Sequence, residues 1–176
     1  MPQRATLIGS KFFKAFIPAS PLFHFYHKNL IMEIEPHQGV FKFLESVVSV
    51  KKNKISCQFY LRNYDKLQNR MITRFLNTKH WDSFGNTAVK RAVITSTLYR
   101  IIRFTDPTPN LILAVIAHWS YELKQLGYPL TPILRSIRNL SEHMVAPGLK
   151  ASMSTLVGDV FNNSDFDFTP YRLHYH

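Results

Sequence analysis

The sequence predicts an α+β fold, a β-hairpin followed by a three-helix bundle, with extended N- and C-terminal arms. Two stretches rich in Val, Ile, Phe and Tyr, "FKFLESVVSV" (41–50) and "KISCQFYLR" (54–62), meet at the polar "KKNK". Downstream, apolar residues recur at three- and four-residue spacing in three runs punctuated by Pro and Gly. Toward the end, "FNNSDFDFTPYRLHYH" is aromatic and Asn-rich without a clear period. The expected organisation is therefore a basic arm over 1–40, a hairpin-plus-helices body over 41–145, and an arm over 146–176.

Each element has a local reason. Ile55, Cys57, Phe59 and Leu61 alternate with Ser56, Gln58 and Tyr60, which is the period of a strand. The Asn in "KKNK" suits a short hairpin loop. Val89, Val93, Ile94, Leu98, Ile101 and Ile102 predict a first helix from about Asn86 to Phe104. "TDPTPN" then breaks the chain, its prolines fitting N1 positions behind Asp106 or Thr108 as N-cap. A second helix carries Ile112, Val115, Ile116, Trp119, Leu123 and Leu126 and stops at Gly127, with Pro129 just beyond. Thr131 is the expected cap of a third helix, with Pro132 at N1 and Ile133, Ile137 and Leu140 as its stripe. The tight "GYPLT" link is compatible with a helix-turn-helix unit. On period and turns alone, a plain bundle accounts for it better.

Composition bounds the partners. The 176 residues suffice for one domain with a core, and 45% apolar and 14% aromatic content is that of a globular chain. The net charge is +11, which points to an acidic partner, nucleic acid or an anionic membrane face. No run approaches the roughly 18 apolar residues of a membrane span; "NLILAVIAHW" reads as a buried helix. Cys57 is the only cysteine, so an intrachain disulfide and a thiolate metal site are excluded. The first 32 residues hold Arg4, Lys11, Lys14 and Lys28 and no acid. That composition fits either a mitochondrial or plastid transit segment or a basic arm that lies on a partner.

The positive charge is concentrated. Lys51, Lys52, Lys54, Arg62, Lys66, Arg70, Arg74, Lys79, Lys90, Arg91, Arg100 and Arg103 face only Asp65 and Asp82 within one window, which carries +10. These twelve are the candidate phosphate contacts. Tyr60, Tyr64, Phe75 and Trp81 are the candidate platforms for stacking unpaired bases, although core packing would use the same residues. Arg100 and Arg103, three apart on a helix, share a face.

The order of "FKFLESVVSVKKNKISCQFYLRNYDK", "ITRFLNTKHWDS", "STLYRIIRFT" and "YELKQLGYPLTPILRSIRNL" resembles the region after the catalytic palm of retroelement reverse transcriptases. The matching elements are Phe43-Leu44-Glu45, Tyr64-Asp65-Lys66, Arg74-Phe75, His80 with Asp82-Ser83, Arg100 and Arg103, and Gly127-Tyr128, over roughly 41–140. "FLE" stands where the family has "FLD". No Asp precedes Phe41, and no two Asp are adjacent, so the paired carboxylates of that family's two-metal chemistry have no counterpart. The resemblance implies a polymerase remnant without polymerase activity.

Other chemistry rests on less. Asp165 and Asp167 form a D-x-D without a third carboxylate nearby; His24/His27 and His174/His176 lack completing zinc ligands. No nucleophile elbow or phosphate-binding Gly loop occurs, and Cys57 falls within a strand. The expectation is a non-enzymatic RNA-binding structural subunit of a large ribonucleoprotein, a mitochondrial ribosome by preference, with a plastid or nuclear setting as alternatives. Ribosomal RNA and neighbouring subunits held by the arms would be its partners, and no cofactor or metal is expected. The competing readings are a scaffold subunit of an organellar membrane complex and a metal-dependent nuclease.

Overall fold

A computed structural model describes residues 40–43, 45–51, 54–64 and 78–173. The expected N-terminal arm, 1–40, lies outside these residues except for Val40, which begins the first strand. Three strands, β1 (Val40–Phe43), β2 (Ser46–Lys51) and β3 (Lys54–Phe59), form an antiparallel sheet in the order β1-β2-β3. The β2–β3 hairpin is the expected one, with Val48 opposite Cys57 and Lys51 opposite Lys54. The stretch read as one strand over 41–50 is two, because the chain reverses so that Phe43 faces Ser46. Four helices follow: α1 (Thr87–Phe104), α2 (Pro109–Gln125), α3 (Leu130–Arg138) and α4 (Pro147–Asn162), then a 3₁₀ turn, Thr169–Tyr171.

The expected helix boundaries hold where capping chemistry is explicit. Asn86 Oδ1 accepts from the Ala88 amide at 2.8 Å and starts α1. Thr108 and Pro109 take the N-cap and N1 positions of α2. Gly127, at φ +73°, reverses the chain after α2; a Cβ there would be 3.1 Å from His80 Cε1. The third helix begins earlier than expected, at Leu130 behind Pro129, placing Thr131 inside its first turn.

A fourth helix replaces much of the expected C-terminal arm. Leu149, Met153, Leu156, Val157 and Val160 lie at three- and four-residue spacing on α4, and Met153, Val157 and Val160 are completely buried. No basic residue stands in its last turn. Lys124 of α2 serves instead, its ammonium donating to the Val160 and Asn163 carbonyls, each at 2.9 Å. After α4, residues 163–173 lie against the body.

α2 is the central element: every residue from Ala114 to Ser120 is buried. It packs against α4, α1, β3 and the 3₁₀ turn. His118, fully buried, must then find a polar partner inside the protein. Its Nε2 lies 2.9 Å from the Tyr171 carbonyl, an acceptor only, so Nε2 carries the proton. The ring stacks on Phe168 and meets Tyr64 edge-on, both at 4.8 Å between centroids. Tyr64 ties the same segment a second time: its hydroxyl donates to the Leu173 carbonyl at 2.9 Å and accepts from the Leu173 amide at 2.8 Å.

The sheet joins the helices along β3. The Cys57 amide donates to Asp106 Oδ2 at 3.0 Å, and the Asp106 amide returns a bond to the Cys57 carbonyl at 2.8 Å. The Phe59 amide donates to Thr105 Oγ1 at 3.2 Å. The α1–α2 turn thus takes the place of a fourth strand. The strand alternation is felt only at this end, where Phe59 enters the core. Ile55, farther along, is 43% exposed, while Gln58 on the opposite face is buried.

Two stability measurements follow. Asp106→Ala removes the partner of the Cys57 amide and is expected to cost about 1–3 kcal/mol in chemical denaturation, with Asp106→Asn costing less. Burial lowers the pKa of His118 from 6.5 to about 4, partly opposed by its bond to Tyr171. The folded state therefore favours the neutral ring. The stability this contributes is complete above pH 6.5 and falls as pH drops through about 4. The total loss is on the order of 3 kcal/mol, and a His118→Leu chain should show a shallower pH dependence of its urea midpoint over that interval.

Candidate nucleic-acid interface

The twelve expected phosphate contacts fall into distinct groups. Lys52, Lys66, Arg70 and Arg74 lie outside the described residues, as does Phe75. Lys51 and Lys54 close the β2–β3 hairpin as paired strand residues. Arg62, Lys79, Arg91 and Arg103 are exposed. Arg100 is half-buried and paired with Glu45 Oε1, so much of its charge is answered within the protein.

Lys90 is a correction: it is only 6% exposed. Its ammonium donates to the Trp81 and Ser83 carbonyls. The physical reason is helical register. Positions 90, 94, 98 and 101 share one side of α1, and Ile94, Leu98 and Ile101 fill the core with it. Val89, expected on that stripe, is instead 61% exposed.

Tyr64 is also corrected, because a ring 4% exposed with its hydroxyl tied to Leu173 has no face for a base. Tyr60 is half-buried; Lys42 donates to its hydroxyl at 2.8 Å and sits 4.3 Å from its ring centroid. Trp81 is half-buried and meets Tyr128 edge-on at 5.1 Å, with the Lys90 ammonium 5.8 Å from its ring centroid. These contacts fix its plane.

The segment bearing Trp81 is docked onto the α2–α3 turn. The Trp81 amide donates to the Leu126 carbonyl at 2.9 Å, and the Tyr128 hydroxyl donates to the Lys79 carbonyl at 3.0 Å. Ser83 Oγ closes the turn on the His80 carbonyl at 2.6 Å. This ordered loop carries Phe84 wholly exposed, a residue the sequence reading did not single out.

Among the described residues, two of the cavities border the helices. One, of about 310 Å³, is lined by Arg62 and Arg100 but also by Glu45 and Glu122. Glu122 is held by Asn63 Nδ2 at 3.5 Å, and burial pushes its carboxyl pKa up. The other, of about 320 Å³, opens between α1 and α3 and is lined by Trp81, Arg91, Thr131, Arg135 and Asn139, among others, with no carboxylate among the described residues that line it. Arg91 and Arg135 are both exposed. A Thr95–Ser136 hydroxyl bond of 3.0 Å joins the two helices at its base. Arg135 and Arg138 lie beyond the +10 window, and only the packing of α3 on α1 brings them alongside it. The signal that points to them is a last helical turn with two arginines and no acid.

Among the described residues, no three His, Cys, Asp or Glu side chains could together hold a metal ion, and no helix is long and apolar enough to cross a membrane. Asp167 Oδ1 accepts from the Thr169 amide at 2.8 Å, so one carboxylate of the D-x-D caps the 3₁₀ turn. Burial, then the Asp106 carboxylate, pushes the Cys57 thiol up, away from a reactive thiolate. Compared with known proteins, the chain matches no family model, no curated protein and no solved structure.

The division between structural and surface cations is measurable. Lys90→Met strands two loop carbonyls and is expected to lower stability by about 1–3 kcal/mol. Arg91→Gln, one position along and exposed, should stay within about 0.5 kcal/mol of wild type.

Proposed function

We propose that this chain is a non-catalytic RNA-binding structural subunit of a large ribonucleoprotein, and that the basic surface of α1 and α3 meets the RNA. A mitochondrial ribosome is the setting that its composition suits best. The observation that carries the reading is that two adjoining helices bear positive charge and no acid. Neither α1 nor α3 contains a carboxylate, while Arg91, Arg103, Arg135 and Arg138 project from them into solvent. Exposed arginines unopposed by acids attract a phosphate backbone and release its counterions.

The resemblance to the post-palm region of retroelement reverse transcriptases supports the same reading. Two elements of that resemblance, "HWDS" and "GY", touch through the Trp81–Tyr128 ring contact and the approach of His80 to Gly127. They form one local unit beside the basic helices.

RNA affinity should fall steeply with salt. Replacing Arg103 and Arg138 by Gln should flatten the plot of log K against log salt by roughly 0.7 per lost contact on single-stranded RNA. Fluorescence anisotropy with labelled RNA measures this. Undetectable binding at about 50 mM salt, where such contacts are strong, removes the proposal.

A further inference from the structure

We infer that the α1–α3 groove seats one nucleotide of an unpaired RNA strand, its phosphate held by Arg91 and Arg135 and its base laid against Trp81. The inference rests on the RNA-binding reading above and goes further, from a charged surface to a site with a preference for strand state.

Three features of the groove select this occupant. Two arginines border the same space without a carboxylate among the described residues that line it. Guanidinium groups bind phosphate oxygens through paired N–H donors, which suits a phosphodiester better than a diffuse anion. At about 320 Å³ the space also exceeds what a bare phosphate occupies. It stands at the low end of the roughly 300–1,000 Å³ typical of small-molecule sites.

The third feature is the wall. Trp81 is the aromatic among the described lining residues, and its orientation is set before any ligand arrives. Tyr128 meets it edge-on, its amide is bonded to Leu126, and its carbonyl is bonded to Lys90. Pro129 and Pro132 stiffen the adjoining rim. A fixed aromatic ring next to phosphate-binding arginines is how proteins hold bases that are free to swing out of a stack. A base within a duplex is already stacked and paired, so it cannot lie on Trp81 without being extruded. Thr131 and Asn139, both exposed at the groove, add hydrogen-bonding groups for the sugar or base edge.

Tryptophan emission gives a direct test on the full chain. The sequence has two tryptophans, and Trp119 is only 3% exposed, so Trp81 reports the groove. An oligouridylate of about eight nucleotides, within the usual site size for single strands, should quench the emission, and Trp81→Phe should abolish the quench. The double variant Arg91→Gln/Arg135→Gln should bind that strand about tenfold or more weakly, yet lose much less affinity for blunt duplex RNA of equal length.

If single strand and duplex weaken equally, the groove is only part of a general charged surface and the inference fails. If both variants leave strand binding and quenching intact, the groove fails while the RNA-binding reading survives. If the wild-type chain binds neither RNA, both fall together. Uridine monophosphate that binds as tightly as the oligonucleotide would make a free nucleotide the occupant and would also overturn the proposal.

Discussion

The structure depends on the burial of α2 on every side. A helix with apolar residues on one stripe needs one neighbour, but α2 also buries His118, Ser120 and Glu122. Each of these requires a hydrogen-bonding partner where water is excluded. Ser120 donates to the Ala117 carbonyl in its own helix at 2.9 Å, Glu122 is met by Asn63, and His118 by Tyr171. The last two come from distant parts of the chain. The central helix therefore recruits the segment after the hairpin and the segment after α4, and its polar groups determine where those segments lie.

That arrangement separates two uses of positive charge. Lys90 and Lys124 act inward, on carbonyls that a loop and a helix end leave over. Both replace water as a donor. The exposed arginines of α1 and α3 act outward, on helices packed against each other as well as on the core. That packing holds the backbone from which these arginines extend. Trp81 belongs to both arrangements, because the lysine that holds its carbonyl is one of the inward pair.

Much of the helical fold was legible in the sequence. Asn86, the Thr108-Pro109 pair and Gly127 mark boundaries through local chemistry that needs no tertiary information. The turn inside "FKFLESVVSV" was not legible, because Leu44 and Glu45 carry no turn signature and the apolar pattern runs through them. α4 had a readable stripe, hidden by Gly148, Gly158 and its serines, which weaken helix propensity. Its last turn has no cation of its own, and Lys124 supplies one from α2. Among the candidate contacts, charge clustering picked out Arg91 and Arg103, which are exposed, but could not tell the buried Lys90 from them. One residue of helical register separates a core position from a surface one. Arg135 was missed because proximity between α1 and α3 is a property of the packed molecule rather than of adjacent letters.

The bond pair between Cys57 and Asp106 has an effect on what this protein can join. A sheet recruits a further strand through backbone groups left over along an edge. Along β3, the Cys57 amide and carbonyl and the Phe59 amide are already occupied by Thr105 and Asp106. Growth by strand addition along β3 is thus blocked: an incoming extended peptide would find these groups already taken by the turn that connects α1 to α2. The turn acts as a stopper on one side, and so gives the sheet a polarity that its three short strands do not have by themselves.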